Sequence, residues 1–319
     1  MDRRRALKLG MGFAVATAGV LAKAQPAIPI LDAHIHLFDP ARAGGVPWPA
    51  KEDAVLYKPA LPGRYEQVTH SLNVVGAIAV EASPLETDND WVLKQAAHHP
   101  IVIGMVGDLI PGSSSFGRQL DRLHANPLFL GIRYGNLWDR DLSSDVKRAG
   151  FLPDLGRIAA ANLVLESANP DAKLVQAILE VSQKLPELRI VIDHLPAASI
   201  PSESDARRAY WTNLRALSQN PRVFIKLSEV PVRKGDSVPK DVLFYKDKLD
   251  AIWDVFGEDH ILFGSDWPNS DHLATYAETL HLVQSYVSTK GHAAAEKYFW
   301  KNSIAAYGWR PRKPTQPAA

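Results

Sequence analysis

Eight short runs rich in Val, Ile and Leu, separated by segments of helical periodicity, constrain this chain more than any other feature. They lie at 30–38, 74–82, 101–109, 129–134, 163–166, 189–195, 222–228 and 261–265. Several are nearly continuous in apolar residues, the pattern of parallel strands covered on both faces. Between them, 90–98, 115–125, 171–184, 206–219 and 245–256 carry apolar residues at helical spacing. Leu174, Ala177, Ile178 and Val181 form the i, i+3, i+4, i+7 series. This alternation predicts an α/β fold, a (β/α)8 TIM-type barrel over 25–309. An open doubly wound sheet uses the same alternation. No Gly-x-Gly-x-x-Gly follows the first run, and no phosphate-binding Gly-Lys-Ser/Thr loop occurs, so the barrel is the favoured reading.

The ends read differently. Asp2-Arg3-Arg4-Arg5-Ala6-Leu7-Lys8 resembles a twin-arginine export signal. A weakly apolar stretch follows at 10–21, too short to span a bilayer, and Ala22-Lys23-Ala24 has the form of a cleavage site. Residues 1–24 are therefore expected to be a signal peptide, handled by the twin-arginine export machinery and leaving a periplasmic protein with no membrane attachment. The polar, Pro-rich 310–319 reads as a disordered tail, and 46–63 as a long loop, with Trp48 and Tyr57, folding over the barrel mouth. A formal net charge of +1 gives no sign of a nucleic-acid partner. The chain contains no cysteine, which excludes disulfides, cysteine nucleophiles and thiolate metal sites.

Barrel enzymes carry their chemistry at the carboxyl ends of the strands. Polar residues stand at those ends here: His34 and His36, Glu81, Arg133, Asp193 and His194, Lys226 with Ser228 and Glu229, and Asp266. Strand alternation predicts that Asp32, His34 and His36 share one face. Paired imidazoles in an apolar wall point to a metal ion or a reacting carbonyl. Each residue also has a structural alternative. The histidines could be hydrogen-bonded core residues, Asp266 a helix cap, and Glu81 an ion-pair partner of Arg133. His98, His99, His260 and His272 read as surface residues.

Segments 32–40, 80–84, 131–134, 191–195, 226–228 and 263–268, the last ending Phe-Gly-Ser-Asp-Trp-Pro, resemble the amidohydrolase superfamily, in particular its branch of sugar-lactone hydrolases such as L-fuconolactonase. The resemblance implies a distorted barrel and hydrolysis at the carbonyl of a small-molecule lactone, either a sugar lactone or a carboxylated one. It implies that Asp266 is the general base, and that His34, His36 and His194 surround the carbonyl. It further implies one divalent metal, zinc foremost, on His34, His36, His194 and Asp266, or a metal-independent reaction in which the histidines polarise the carbonyl directly. Arg133 corresponds to a substrate-facing arginine and Glu81 to a substrate or metal-supporting group. Trp267, with Trp48 and Trp138, is expected to wall the substrate.

The chain departs from that pattern in three places. Strand five ends Leu165-Glu166-Ser167 without histidine, which argues against a two-metal centre. Pro196 and Glu229 stand where the branch often carries glycine, in loops that shape the pocket. A metal-dependent decarboxylase of the same superfamily and a non-catalytic periplasmic ligand-binding barrel are the alternatives.

Overall fold

The computed structural model describes residues 27–318. The export-signal reading lies outside them. Eight parallel strands run in sequence order around a nearly closed barrel. They are β1 (Ile30–His36), β2 (Val74–Val80), β3 (Val102–Gly107), β4 (Phe129–Arg133), β5 (Val164–Ser167), β6 (Arg189–Ile192), β7 (Val223–Lys226) and β8 (Ile261–Leu262). Helices alternate with them, including Asp88–His98, Phe116–His124, Ala172–Lys184, Ser204–Leu217 and Lys246–Phe256, within two residues of the expected bounds. Among the described residues no helix is long and apolar enough to cross a membrane.

The apolar residues sort into two shells. One fills the barrel axis with Leu31, Ile78, Val106, Val164, Val191 and Phe224, closed below by Tyr307 and Trp309. The other, much larger, lies between the strands and the surrounding helices. This double burial explains why the strands read as continuous apolar runs.

β8 is regular for only two residues, because the chain bends inward to close the ring against β1. Ala33 N donates to Phe263 O at 3.0 Å, Asp266 N to His34 O at 2.9 Å and His36 N to Trp267 O at 2.7 Å. Gly264 permits this approach, since a Cβ there would sit 2.8 Å from His34 Cβ.

Two expectations are corrected. The pairing of β1 with β2 shifts register between Asp32 and Ile35, so Asp32 leaves the face of His34 and His36. Its carboxylate accepts from Ser265 N at 2.8 Å and from the hydroxyls of Tyr65 and Tyr276, each at 3.0 Å. Asp32 is thus a buried tie across the seam of the barrel. The carboxyl-terminal segment expected to be disordered is packed instead. Arg312 Nη1 donates to Ala96 O and Val102 O, both at 2.6 Å, and Gln316 Nε2 to Val75 O at 2.9 Å and Pro100 O at 2.8 Å. Its polar composition concealed its role, which is to satisfy backbone carbonyls around the starts of β2 and β3 with side-chain donors.

Candidate active site

The polar strand ends converge as expected. His194, Glu229 and Asp266, just beyond β6, β7 and β8, all adopt left-handed backbone conformations, with φ of 52°, 49° and 60°. Each costs about 1–3 kcal/mol for a non-glycine residue, and such strain concentrates at functional sites. The left-handed turn aims Asp266 into the mouth, while the next residue, Trp267, packs outward. The Trp267 ring is fully buried against Tyr65 (centroids 5.3 Å apart) and beneath the Arg64 guanidinium at 5.1 Å. The expected substrate wall at Trp267 is therefore a core residue. The cavity of about 230 Å³ is walled instead by Trp48 and Trp138, with His36, Arg133, His194 and Asp266 among its lining groups. Trp48 reaches it from the loop at 46–63, its ring 5.5 Å from that of His36.

Beneath the cavity lies a cluster whose partnerships were not legible in the sequence. Lys226, wholly buried on the barrel axis, places Nζ 2.5 Å from Glu166 Oε1, 3.0 Å from Asp193 Oδ1 and 2.9 Å from His34 Nδ1. Tyr307 donates to the other Glu166 oxygen at 2.7 Å. The Asp193 carboxylate beside Lys226 keeps it an ammonium, and an ammonium only donates. His34 Nδ1 is therefore an acceptor, and the proton of this imidazole sits on Nε2. Burial first, and then Lys226, hold the His34 pKa well below its usual value, so the ring is neutral.

His36 has the opposite tautomer. Its Nδ1 faces the Val80 carbonyl at 3.1 Å and must donate, which leaves a lone pair on Nε2. His34 Nε2–H accordingly points at His36 Nε2, 3.2 Å away. Burial, followed by the charge of Arg133, depresses His36 to about 4. His194 is held low by burial and by His34, and its Nδ1 lies 2.9 Å from Ser228 Oγ.

Asp266 Oδ1 stands 3.2 Å from His36 Nε2, 3.5 Å from His34 Nε2 and 3.8 Å from His194 Nε2. Its Oδ2 accepts from Asn269 Nδ2 at 2.7 Å. Burial raises its pKa to about 6, so at neutral pH it is an ionised carboxylate poised as a base. Glu229 is pushed up to about 9 by burial and by Asp266, and so carries a proton that it donates to Asp266.

Arg133 donates from Nε to Glu81 Oε1 at 2.9 Å and from Nη2 to Glu81 O at 2.7 Å. Trp138 Nε1 approaches both Glu81 oxygens, at 3.0 and 2.9 Å. Glu81 therefore holds two cavity-lining side chains in place and does not itself line the cavity. Of the groups not singled out from the sequence, Asn269 and Glu166 have structural roles here. Glu166 left one signal, a carboxylate inside an apolar strand, which implies a buried cation.

The donor set accommodates a metal. His34 Nε2, His36 Nε2 and Asp266 Oδ1 are 3.2–3.5 Å apart, close to the edge of a tetrahedron with bonds of about 2.0–2.2 Å. His36 Nε2 and Asp266 Oδ1 are moreover two acceptors facing each other, and a cation between them relieves that contact. Of these, His36 and Asp266 offer lone pairs to such an ion as they stand. His34 would join only by losing its Nε2 proton.

A barrel with neutral imidazoles, a poised carboxylate and an arginine at the carboxyl ends of its strands defines a hydrolytic enzyme of the TIM-barrel class. The amidohydrolase family model matches residues 31–309, and the chain belongs to that family. The L-fucono-1,5-lactonase of Burkholderia ambifaria is 28% identical over 255 residues, covering 78% of this chain and 85% of that protein. The L-fucono-1,5-lactonase of Burkholderia multivorans is 26% identical over 287 residues, covering 86% and 94%. Among solved structures, an amidohydrolase from Burkholderia multivorans with bound zinc superposes with a TM-score of 0.76 at 21% identity, covering 88% of this chain and all of that one.

Proposed function

We propose that this enzyme hydrolyses a sugar-type lactone, with Asp266 activating water and the cavity-lining His194 and Arg133 facing the carbonyl. The observation that carries the reading is the Asp266 carboxylate on the cavity wall, with Oδ1 3.2–3.8 Å from the imidazoles of His36, His34 and His194. The lactonase relatives support it. Arg133 orients the ring through Nη1, the nitrogen that Glu81 leaves free.

In the reaction, water gives a proton to Asp266 as its oxygen bonds to the lactone carbon. The carbonyl oxygen takes up negative charge beside His194 and the Arg133 guanidinium, both of which line the cavity. The tetrahedral intermediate collapses by breaking the bond to the ring oxygen, which receives the proton held by Asp266. The product is the open hydroxy acid. A divalent ion, if held by His34, His36 and Asp266, would supply Lewis acidity at the same carbonyl or water. The charged start, apolar stretch and Ala-Lys-Ala site support export of the folded enzyme to the periplasm. Amino-terminal sequencing of the periplasmic fraction tests this, with Gln25 the expected first residue.

Hydrolysis is tested by proton release from L-fucono-1,5-lactone and related aldonolactones. Turnover by the wild type, reduced about 10²–10⁴-fold in Asp266→Asn, supports the reading. Release of carbon dioxide from a carboxylated aromatic acid, with no lactone turnover, would replace it with decarboxylation.

A further inference from the structure

The catalytic cavity does not end at His194 and Glu229. These two residues and Asn169 also line a second cavity of about 300 Å³, larger than the first at about 230 Å³. A mouth that admits one sugar ring in the first lobe therefore has space for another in the second.

The chemistry of the second lobe differs from that of the first. Asn136 and Asn169 tie the loops after β4 and β5 together. Asn169 Nδ2 donates to Asn136 O at 3.0 Å and Asn136 Nδ2 to Asn169 O at 3.4 Å. Among the described residues neither side-chain carbonyl oxygen has a donor, so both are available to ligand hydroxyls. Ser199 adds a hydroxyl, and Ala197 keeps the floor low. No lysine, arginine, phenylalanine, tyrosine or tryptophan lines this lobe, and Asp171 borders it. An anionic extension would meet like charge without a lysine or arginine to pair with, and an aryl group would find only the His194 ring, at the junction with the first lobe. A neutral, hydroxyl-rich group fits.

We propose that the second lobe is a sugar-binding subsite, and that the enzyme's substrates are lactones bearing a second neutral sugar ring, of the aldobiono-lactone class. The proposal rests on the lactone-hydrolase reading of the first lobe. Glu229, with His194 and Asn169, stands where the lobes meet. Its left-handed backbone, with φ of 49°, holds a carboxyl at the junction, where it faces ligand hydroxyls on either side.

The test compares cellobiono-, maltobiono- and lactobiono-1,5-lactone with glucono-1,5-lactone by proton release, at mildly acidic pH where the lactones are slow to open by themselves. At least one disaccharide lactone is expected to show kcat/KM about tenfold or more above that of the monosaccharide lactone. Ala197→Trp, at an exposed position, fills the lobe. It is expected to abolish that preference while leaving glucono-lactone turnover within about twofold. Asn136→Ala, a milder change, is expected to raise KM for the disaccharide lactone alone. A separate arm measures binding without chemistry, by saturation-transfer NMR with cellobiitol, maltitol, lactitol and glucitol. Equal turnover of one- and two-ring lactones, with none of the three disaccharide alcohols bound better than glucitol, overturns the subsite and leaves lactone hydrolysis standing. Binding of a disaccharide alcohol, lost in Ala197→Trp, with no lactone turned over, overturns the hydrolysis reading and leaves the subsite standing.

Discussion

Replacing Lys226 with methionine removes the ammonium that joins Glu166, Asp193 and His34, all wholly buried. Breaking a buried ion pair by deleting one partner costs about 3–5 kcal/mol, a large share of a total stability of about 5–15 kcal/mol. The catalytic consequence is separate. Without Lys226, His34 Nδ1 is 3.6 Å from both Glu166 Oε1 and Asp193 Oδ1. It becomes the donor to one of them and its proton moves from Nε2. A lone pair then faces Asp266 Oδ1, 3.5 Å away, and the carboxylate loses a donor of the kind worth about 1.5–3 kcal/mol, or about 10–10² in kcat. Long-range proton–nitrogen NMR of histidine-labelled, metal-free protein reads the tautomer directly, with His34→Gln identifying the signal. The wild type is expected to show His34 protonated on Nε2, and Lys226→Met on Nδ1. Zinc affinity is expected to rise in the variant as the proton moves. A wild-type His34 protonated on Nδ1, or a folded Lys226→Met with kcat within about threefold of wild type, would refute the reasoning.

Other consequences are open to simpler assays. Because Asp266 must be ionised and its pKa is raised to about 6, kcat/KM of the metal-free enzyme should fall about tenfold per unit below pH 6. It should stay level at neutral pH and decline again above about 9 as Glu229 loses its proton. The two limbs belong to the interacting pair, so Glu229→Gln should move the acid limb as well. Trp267→Ala should cost about 3–5 kcal/mol in a denaturant titration, as for other buried aromatics, whereas Trp48→Ala should raise KM with a smaller stability loss. Equal stability losses at the two positions would contradict their placement. Removing 310–319 should lower Tm by several degrees, since it strips side-chain donors from backbone carbonyls at the starts of β2 and β3. An unchanged Tm would show the segment to be unattached.

The barrel was legible because strands buried on both faces leave an unbroken apolar signature, and helices between them leave a 3.6-residue one. The convergence of His34, His36, Arg133, His194 and Asp266 at one mouth was also legible, because these residues interrupt those runs at their carboxyl ends. Three things were not. Side-chain alternation placed Asp32 beside His34, but the register shift in β1 turned it to the other face, and such shifts leave no mark in composition. Trp267 follows Asp266 directly, and only the left-handed turn at Asp266 decides that one faces the cavity and the other the core. Lys226 and Glu166 were each visible as a charge within an apolar strand. Their meeting depends on closure of the barrel, which brings inward side chains of β5 and β7 together past β6 and which one-dimensional periodicity does not encode.

The most direct measurement is proton release from L-fucono-1,5-lactone and the disaccharide lactones by wild type and Asp266→Asn, each stripped of metal and then reloaded with zinc. The account predicts turnover by the wild type and a loss of about 10²-fold or more in Asp266→Asn, in every metal state where the wild type works. An Asp266→Asn enzyme within a few-fold of wild type would contradict the assignment of Asp266 as the base on which the mechanism depends.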